Sequence, residues 1–400
     1  MRKSLMIVML TLGSLGLVVV HQATAQGRNG RSQPTVSQQG NITILTIPST
    51  RAQASAQSID FMNAKPMPLS QAPSSVAAEA QADMVDALTS RASQASLGAP
   101  GYSTGFPGSG VMNPVMLGVP TSSANVATGV TPEEFGISNH PFTTSQIDLG
   151  ATATNTLWPY RAAGKLFFNI GTSTYVCSAS LIKRGIVVTA GHCVANYGHL
   201  QFYSNWQFVP AYRNGVAPYG TWTAAEVRIN TAYYNGTDGC AVYGVVCPDD
   251  VALITLTPQA GAYAGSTTGW FGYGYDGYGF TSGGQTQITQ LGYPVCLDSG
   301  QYMERNDSYG YVSASNANNT VIGSLMCGGS SGGPWVVNFG KVPTLTGTSA
   351  GTYSAHQIVV GVTSWGYIDL SIKEQGASPF TTSNISTLVT NACAAIPAAC

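Results

Sequence analysis

Ser331 lies in Cys327-Gly328-Gly329-Ser330-Ser331-Gly332-Gly333-Pro334-Trp335, a run of mostly small residues. A serine hydroxyl attacks a carbonyl only when a base takes its proton and fixed donors receive the charge that develops on oxygen. With no side chain at Gly329, the N–H groups of Gly329 and Ser331 can face one small hole, and Gly332 and Gly333 let the chain turn sharply behind it. Alone, Gly-x-Ser-x-Gly is a weak signal in a chain with 47 glycines. The base and its partner must come from elsewhere. In Val187-Val188-Thr189-Ala190-Gly191-His192-Cys193, a histidine follows a β-branched run, and in Asp250-Val251-Ala252-Leu253-Ile254 an acid opens an apolar strand. A carboxylate in that position is partly buried and reserved for one hydrogen bond. Such a carboxylate holds an imidazole in one tautomer, and an imidazole so held serves a serine nucleophile in acyl transfer. Asp249 is the rival acid, but only Asp250 is followed directly by Val-Ala-Leu.

In type and order these three motifs resemble those of the chymotrypsin/trypsin-like serine peptidases, over residues 165–395. The resemblance implies an all-β domain of two antiparallel six-stranded β-barrels with a C-terminal helix. The first barrel would carry His192 and Asp250, the second Ser331, with the site between them. It implies a serine endopeptidase that cleaves protein or peptide substrates through an acyl-enzyme, with an oxyanion hole at Gly329 and Ser331 and no metal or cofactor. Ser364, Trp365 and Gly366 resemble the strand on which these enzymes lay the substrate backbone antiparallel. Leu325 and Met326 fall where the family places its primary specificity pocket. An aspartate there would attract Arg or Lys, so trypsin-type cleavage is not expected.

Two departures refine the likeness. Ser330 replaces the aspartate that pairs with a new amino terminus in many animal members, so activation by that ion pair is not expected. A non-acidic residue there is closer to the bacterial secreted V8-like branch, which includes the glutamyl endopeptidases. Yet Thr363 and Ser364 precede Trp365 where glutamyl-specific members carry a histidine, which argues against glutamate specificity. His140-Pro141-Phe142-Thr143-Thr144-Ser145 resembles the region near the mature start of V8-like enzymes. Proteolytic removal of residues 26 to somewhere in 125–145 is therefore expected.

Other chemistries fit less well. In an α/β-hydrolase the acid and then the histidine follow the serine. Here the only later histidine, His356, precedes the only later acids, Asp369 and Glu374. An inactive binding protein on the same fold would have lost a triad member or blocked its oxyanion hole, and all the required residue types are present. An adhesive protein using the glycine-aromatic tract from Gly269 to Phe280 is the weakest alternative. That tract reads more simply as a core strand followed by a hairpin tip.

The elements that must position these groups read as short strands: 165–169, 175–182, 186–189, 251–256, 310–313, 335–338 and 357–363, each rich in β-branched or aromatic residues. Ser383 is placed to cap a helix over 384–395 in which Ile385, Leu388 and Val389 share a face. Charged residues make up 8% of the chain and the formal net charge is −1, so neither nucleic acid nor an anionic membrane is an expected partner.

Arg2-Lys3, an apolar run from Leu5 to Val20 and Ala23-Thr24-Ala25 read as a signal peptide over 1–25, giving a secreted, monomeric protein without a membrane span. Residues 26–135 are rich in Ala, Ser, Gln, Gly and Pro and read as a largely disordered pro-segment or linker, with a short helix possible over 75–92. The peptidase domain would then span 136–400. The eight cysteines, all between Cys177 and Cys400, fit disulfides in an oxidising compartment. No Cys-x2-Cys pair favours zinc. Resemblance and proximity narrow the pairings: Cys177–Cys193 has the spacing of the family's histidine-loop bridge, Cys240–Cys247 and Cys393–Cys400 close short loops, and Cys296–Cys327 remains.

Overall fold

The computed structural model describes residues 33–49, 59–73, 99–118, 141–148, 153–281, 284–312, 320–340, 353–369 and 371–400. The expected signal peptide over 1–25, the helix over 75–92 and most of the expected processing region lie outside the described residues. Two closed, six-stranded antiparallel barrels organise the chain. The first runs Trp222–Asn230, Ser204–Pro210, Ala163–Ile170, Ser173–Lys183, Ile186–Thr189, Ala252–Leu256 and back to Trp222–Asn230. The second runs Pro334–Val337, Gln285–Gly292, Glu304–Val312, Thr320–Gly323, Glu374–Pro379, Ile358–Tyr367 and back to Pro334–Val337.

Closure matters because it leaves none of these twelve strands with an unpaired edge. Leu166, Phe167, Val187, Val188, Ile229, Leu253 and Ile254 on the first barrel's strands are buried in one core cluster, on its inner and outer faces alternately, and Ile288, Ile322, Trp335, Val337 and Ile358 form a cluster on the second. Fully burying a side chain of this size stabilises by roughly 1.5–3 kcal/mol. The barrels therefore form a stiff frame for the loops between strands. The glycine-aromatic tract joins this frame: Gly272–Tyr275 is a strand lying parallel to Ile358–Tyr367, and Phe271, Tyr273, Tyr278 and Phe280 are buried.

The tail closes with the helix Thr387–Ala395, preceded by the wider turn Thr382–Ser386. Its cap is Thr381 rather than Ser383. Thr381 Oγ1 accepts the Asn384 N–H and Asn384 Oδ1 accepts the Thr381 N–H, a reciprocal pair that needs this three-residue spacing. Ile385, Leu388 and Val389 are buried, and Asn391 Oδ1 accepts from Arg228 Nε at 3.0 Å. The four disulfides are Cys177–Cys193, Cys240–Cys247, Cys296–Cys327 and Cys393–Cys400.

The described parts of the 26–135 segment form short strands against both barrels. Ile42–Thr46 pairs antiparallel with Trp222–Asn230, burying Ile42, Ile44 and Leu45. Lys65–Pro66 lies parallel to Ser173–Lys183, and Ser70–Ala72 lies parallel to Ile358–Tyr367. Gly101–Ser103 adds to Gly272–Tyr275, with Phe106 stacked on Trp270 at 5.0 Å. Phe142–Gln146 pairs with Glu304–Val312.

Candidate active site

His192 sits in a single helical turn, Gly191–Cys193, at the end of the strand Ile186–Thr189. The turn is pinned by its own sequence. Cys193 is bonded to Cys177 on the neighbouring strand, and its carbonyl accepts Trp206 Nε1 at 3.2 Å. Gly191 lets the turn close on Asp250, since a Cβ there would lie 3.0 Å from Asp250 Oδ1.

The carboxylate is held from three directions. The His192 backbone N–H donates to Asp250 Oδ1 at 2.8 Å, His192 Nδ1 lies 2.8 Å from Oδ2, and Ser364 Oγ donates to Oδ2 at 2.5 Å. Burial on its own would raise the Asp250 pKa, but the facing imidazole and these donors outweigh it and hold the group below its ordinary value. In the neutral ring, an ionised Asp250 favours the tautomer with the proton on Nδ1, facing Oδ2, and leaves Nε2 as the unprotonated nitrogen. Beside it, burial and then the Asp250 charge push the Tyr233 phenol well above its usual range, so it stays neutral.

Ser331 is fully buried in the turn after Cys327. Its loop is fixed by Ser178, whose N–H donates to Ser331 O at 2.7 Å and whose Oγ donates to Gly329 O at 2.9 Å. The next residue touches the histidine element: a Cβ on Gly332 would collide with Thr189 Oγ1 and come within 2.9 Å of Ala190 N. Gly332 N–H also donates to Thr363 O at 2.8 Å, one residue from the serine that holds Asp250. The loops of residues 192, 250 and 331 thus converge on one place. Ser331 Oγ and His192 Nε2 are both buried, and neither has a hydrogen-bond partner among the described residues, so the direct bond between them is not made here. Catalytic hydrogen bonds of this kind often tighten only when substrate is bound.

Gly329 adopts φ +95°, and a Cβ there would stand 2.5 Å from Tyr293 O, so this position requires glycine. Its N–H holds a carbonyl oxygen, that of Met67, at 3.1 Å.

Ser364, Trp365 and Gly366 lie together on Ile358–Tyr367. Trp365 is buried edge-to-face with Tyr367 at 5.2 Å, and Gly366 faces the cleft beside Leu69. Leu325 and Met326 line a cavity with Ser324, Gly366, Glu374 and Gln375. Gln375 fixes one wall, donating to Met326 O at 2.7 Å and accepting from Gln290 Nε2 at 2.6 Å. Motif reading did not single out Ser178, Glu374 or Gln375, and it gave Ser364 a substrate role while missing its grip on Asp250. These roles come from pairings between distant segments, which leave no local pattern. Among the described residues, the groups close enough to share a metal ion are Cys177–His192–Cys193 and Asp238–Cys240–Cys247, and in each the two cysteines are bonded to one another.

Comparison with known proteins gives the wider context. The family model for trypsin matches residues 147–384. Among solved structures the chain is similar to the protease Anisep from Arthrobacter nicotinovorans, at 27% identity with 58% of this chain and 96% of that one covered and a TM-score of 0.46. It is also similar to a Glu endopeptidase, at 19% identity with 66% and 100% covered and a TM-score of 0.46. Among curated proteins it is 28% identical over 123 residues to an extracellular metalloprotease of Bacillus subtilis, covering 30% of this chain. The matched stretch spans 35% of that relative's length.

Proposed function

The chain belongs to the trypsin family of serine endopeptidases, and we propose that it hydrolyses peptide bonds with Ser331 as nucleophile, His192 as general base and Asp250 as the group that holds the base. The observation that carries this is the 2.8 Å contact between His192 Nδ1 and a buried Asp250 carboxylate, on loops packed against the Ser331 turn. His192 Nε2 takes the hydroxyl proton as Ser331 Oγ attacks the carbonyl carbon, then delivers it to the leaving amine. The Gly329 and Ser331 N–H groups receive the oxyanion. Water then attacks the acyl-enzyme with His192 again as base, freeing the acid and restoring Ser331.

The substrate chain lies antiparallel on Ser364–Gly366, and the side chain before the cleaved bond enters the cavity beside Leu325 and Met326. The amino-terminal leader motif and the four disulfides support export to an oxidising compartment. No helix among the described residues is long and apolar enough to cross a membrane. The test is release of new amino termini from an unfolded protein substrate by the secreted, processed chain. Turnover should vanish in Ser331→Ala while secretion persists. Turnover unchanged in that variant contradicts the assignment.

A further inference from the structure

The cleft already contains a piece of this chain. Residues 65–72 run through it in extended form, as two short strands, Lys65–Pro66 and Ser70–Ala72, joined by residues 67–69. Lys65 and Pro66 lie opposite Tyr175 and Val176, and Met67 N–H donates to Val176 O at 2.8 Å. Met67 O accepts the Gly329 N–H at 3.1 Å, the donor assigned above to the oxyanion. Pro68 and Leu69 then pass Gly328, where a Cβ would stand 3.7 Å from both Pro68 Cα and Leu69 N. The Leu69 side chain lies against Gly366, and Pro68 and Leu69 help to line the cavity that holds Leu325 and Met326. Ser70, Gln71 and Ala72 pair with Trp365, Gly366 and Tyr367, Ala72 O accepts the Ile368 N–H at 3.0 Å, and Ala72 is fully buried. His192 and Ser331 are correspondingly shut off from solvent.

The direction of this strand is its telling property. Its pairing with Ile358–Tyr367 is parallel, whereas a peptide positioned for cleavage on that strand is antiparallel. We infer that residues 65–72 are a built-in inhibitor that fills the oxyanion hole and the substrate strand backwards, so that the enzyme is held inactive by a segment it cannot cut. This rests on the peptidase reading given above.

The chemistry follows from the reversal. The carbonyl in the hole is that of Met67, and the nitrogen that would have to leave belongs to Pro68. Pro68 lies on the Gly366 side, where the acyl half of a productive substrate belongs. The leaving group must instead depart on the Val176 side, within reach of the imidazole that protonates it. A reversed chain places its α-carbon there. An adduct formed on Met67 therefore has no correctly placed exit and collapses back to the intact peptide. Upstream, Ile42–Thr46 anchors the same segment by joining the first barrel as an extra strand. Release then requires that this anchor be lost too, as expected from cleavage over 125–145 followed by dissociation or digestion.

Two measurements test this. Fluorophosphonate labelling of Ser331 is timed in the full exported chain, in its Leu69→Asp variant and in the processed enzyme. Tethering presents the segment at an effective concentration on the order of millimolar, so the full chain should label at least about tenfold more slowly than the processed enzyme. Leu69→Asp places a charge against Gly366 and should recover most of the difference. Equal labelling of the full chain and the processed enzyme overturns the inference while leaving the peptidase reading intact.

The second measurement uses a fluorescent peptide of residues 63–73 with the processed enzyme. It should bind by anisotropy, slow labelling and stay intact by mass spectrometry, whereas a peptide of the same residues in reversed order should not protect in this way. Cleavage between Met67 and Pro68, or absence of binding, overturns the inference. Should the processed enzyme fail to label at all, the peptidase reading falls. Peptide binding alone then decides whether the segment occupies the cleft.

Discussion

Replacing Asp250 by Asn removes one charge and leaves the shape nearly unchanged, which makes it the sharpest probe of the histidine's role. The amide oxygen of the new side chain would still accept the His192 backbone N–H, and Ser364 Oγ, now facing an NH2 group, would turn to accept rather than donate. His192 Nδ1 would face that same NH2 group at 2.8 Å and would have to become an acceptor. The ring proton then moves to Nε2, where the base must act, so the favoured tautomer is the inactive one. An equivalent change in a well-studied serine protease lowers kcat about 10⁴-fold, which corresponds to about 5.5 kcal/mol of transition-state stabilisation. The same loss is expected here, with KM little changed because the substrate strand and cavity are untouched.

The assay is steady-state hydrolysis of a peptide substrate by processed enzyme, with a thermal melt to establish folding. Asp249→Asn is the control. Asp249 is buried enough for its carboxyl pKa to be raised, and its carboxylate is hydrogen-bonded to Asn230. It should cost less than about threefold, since only groups that bind the transition state more strongly than the ground state change kcat. If Asp250→Asn retains a tenth of wild-type kcat, or if Asp249→Asn is the more damaging change, the argument from tautomer control is refuted.

Three further outcomes follow from the same geometry. Ser364→Ala deletes the 2.5 Å hydrogen bond to Asp250 and should lower kcat about tenfold, with KM little changed, and slow Ser331 labelling of the processed enzyme by a similar factor, as expected of a residue that acts by holding Asp250. Gly329→Ala forces a side chain into φ +95° and towards Tyr293 O, so it should lower the melting temperature and cut kcat by about 10²-fold or more through loss of an oxyanion donor. Glu304 is buried, and burial together with the neighbouring Asp298 raises its pKa to about 9. Its folded state therefore keeps a proton that the unfolded chain releases, and stability contributed by neutral Glu304 is lost as pH rises from the ordinary glutamate value towards that raised one. Urea melts of Glu304→Gln should match wild type near pH 4 and become progressively more stable than wild type up to pH 9.

Much of the architecture could be read from residue types. Val187-Val188, Val251-Ala252-Leu253-Ile254 and Trp335-Val336-Val337 are apolar and buried, and such runs announce strands. Trp222–Asn230 and Gln285–Gly292 do not, because polar residues interrupt them. Glu226 and Arg228 form an ion pair at 2.6 Å on the first of these, and Gln290 donates to Gln375 from the second. Their strand identity comes from cross-strand partners far away in sequence. The three groups of the candidate site were legible because each chemistry permits few residue types in few settings. The hydroxyls of Ser178 and Ser364, in contrast, look like any other serine until the fold brings them to Gly329 and Asp250. Met67 carries no sign of its place either, since the contact is made by its backbone, and any residue has a carbonyl to offer.

The account depends most on Ser331 being the activated hydroxyl. Processed enzyme treated with a fluorophosphonate and digested for mass spectrometry should show one stoichiometric adduct, on the peptide containing Ser331, and none after prior denaturation. An adduct on another residue, or full turnover of peptide substrate by enzyme already modified at Ser331, would contradict it.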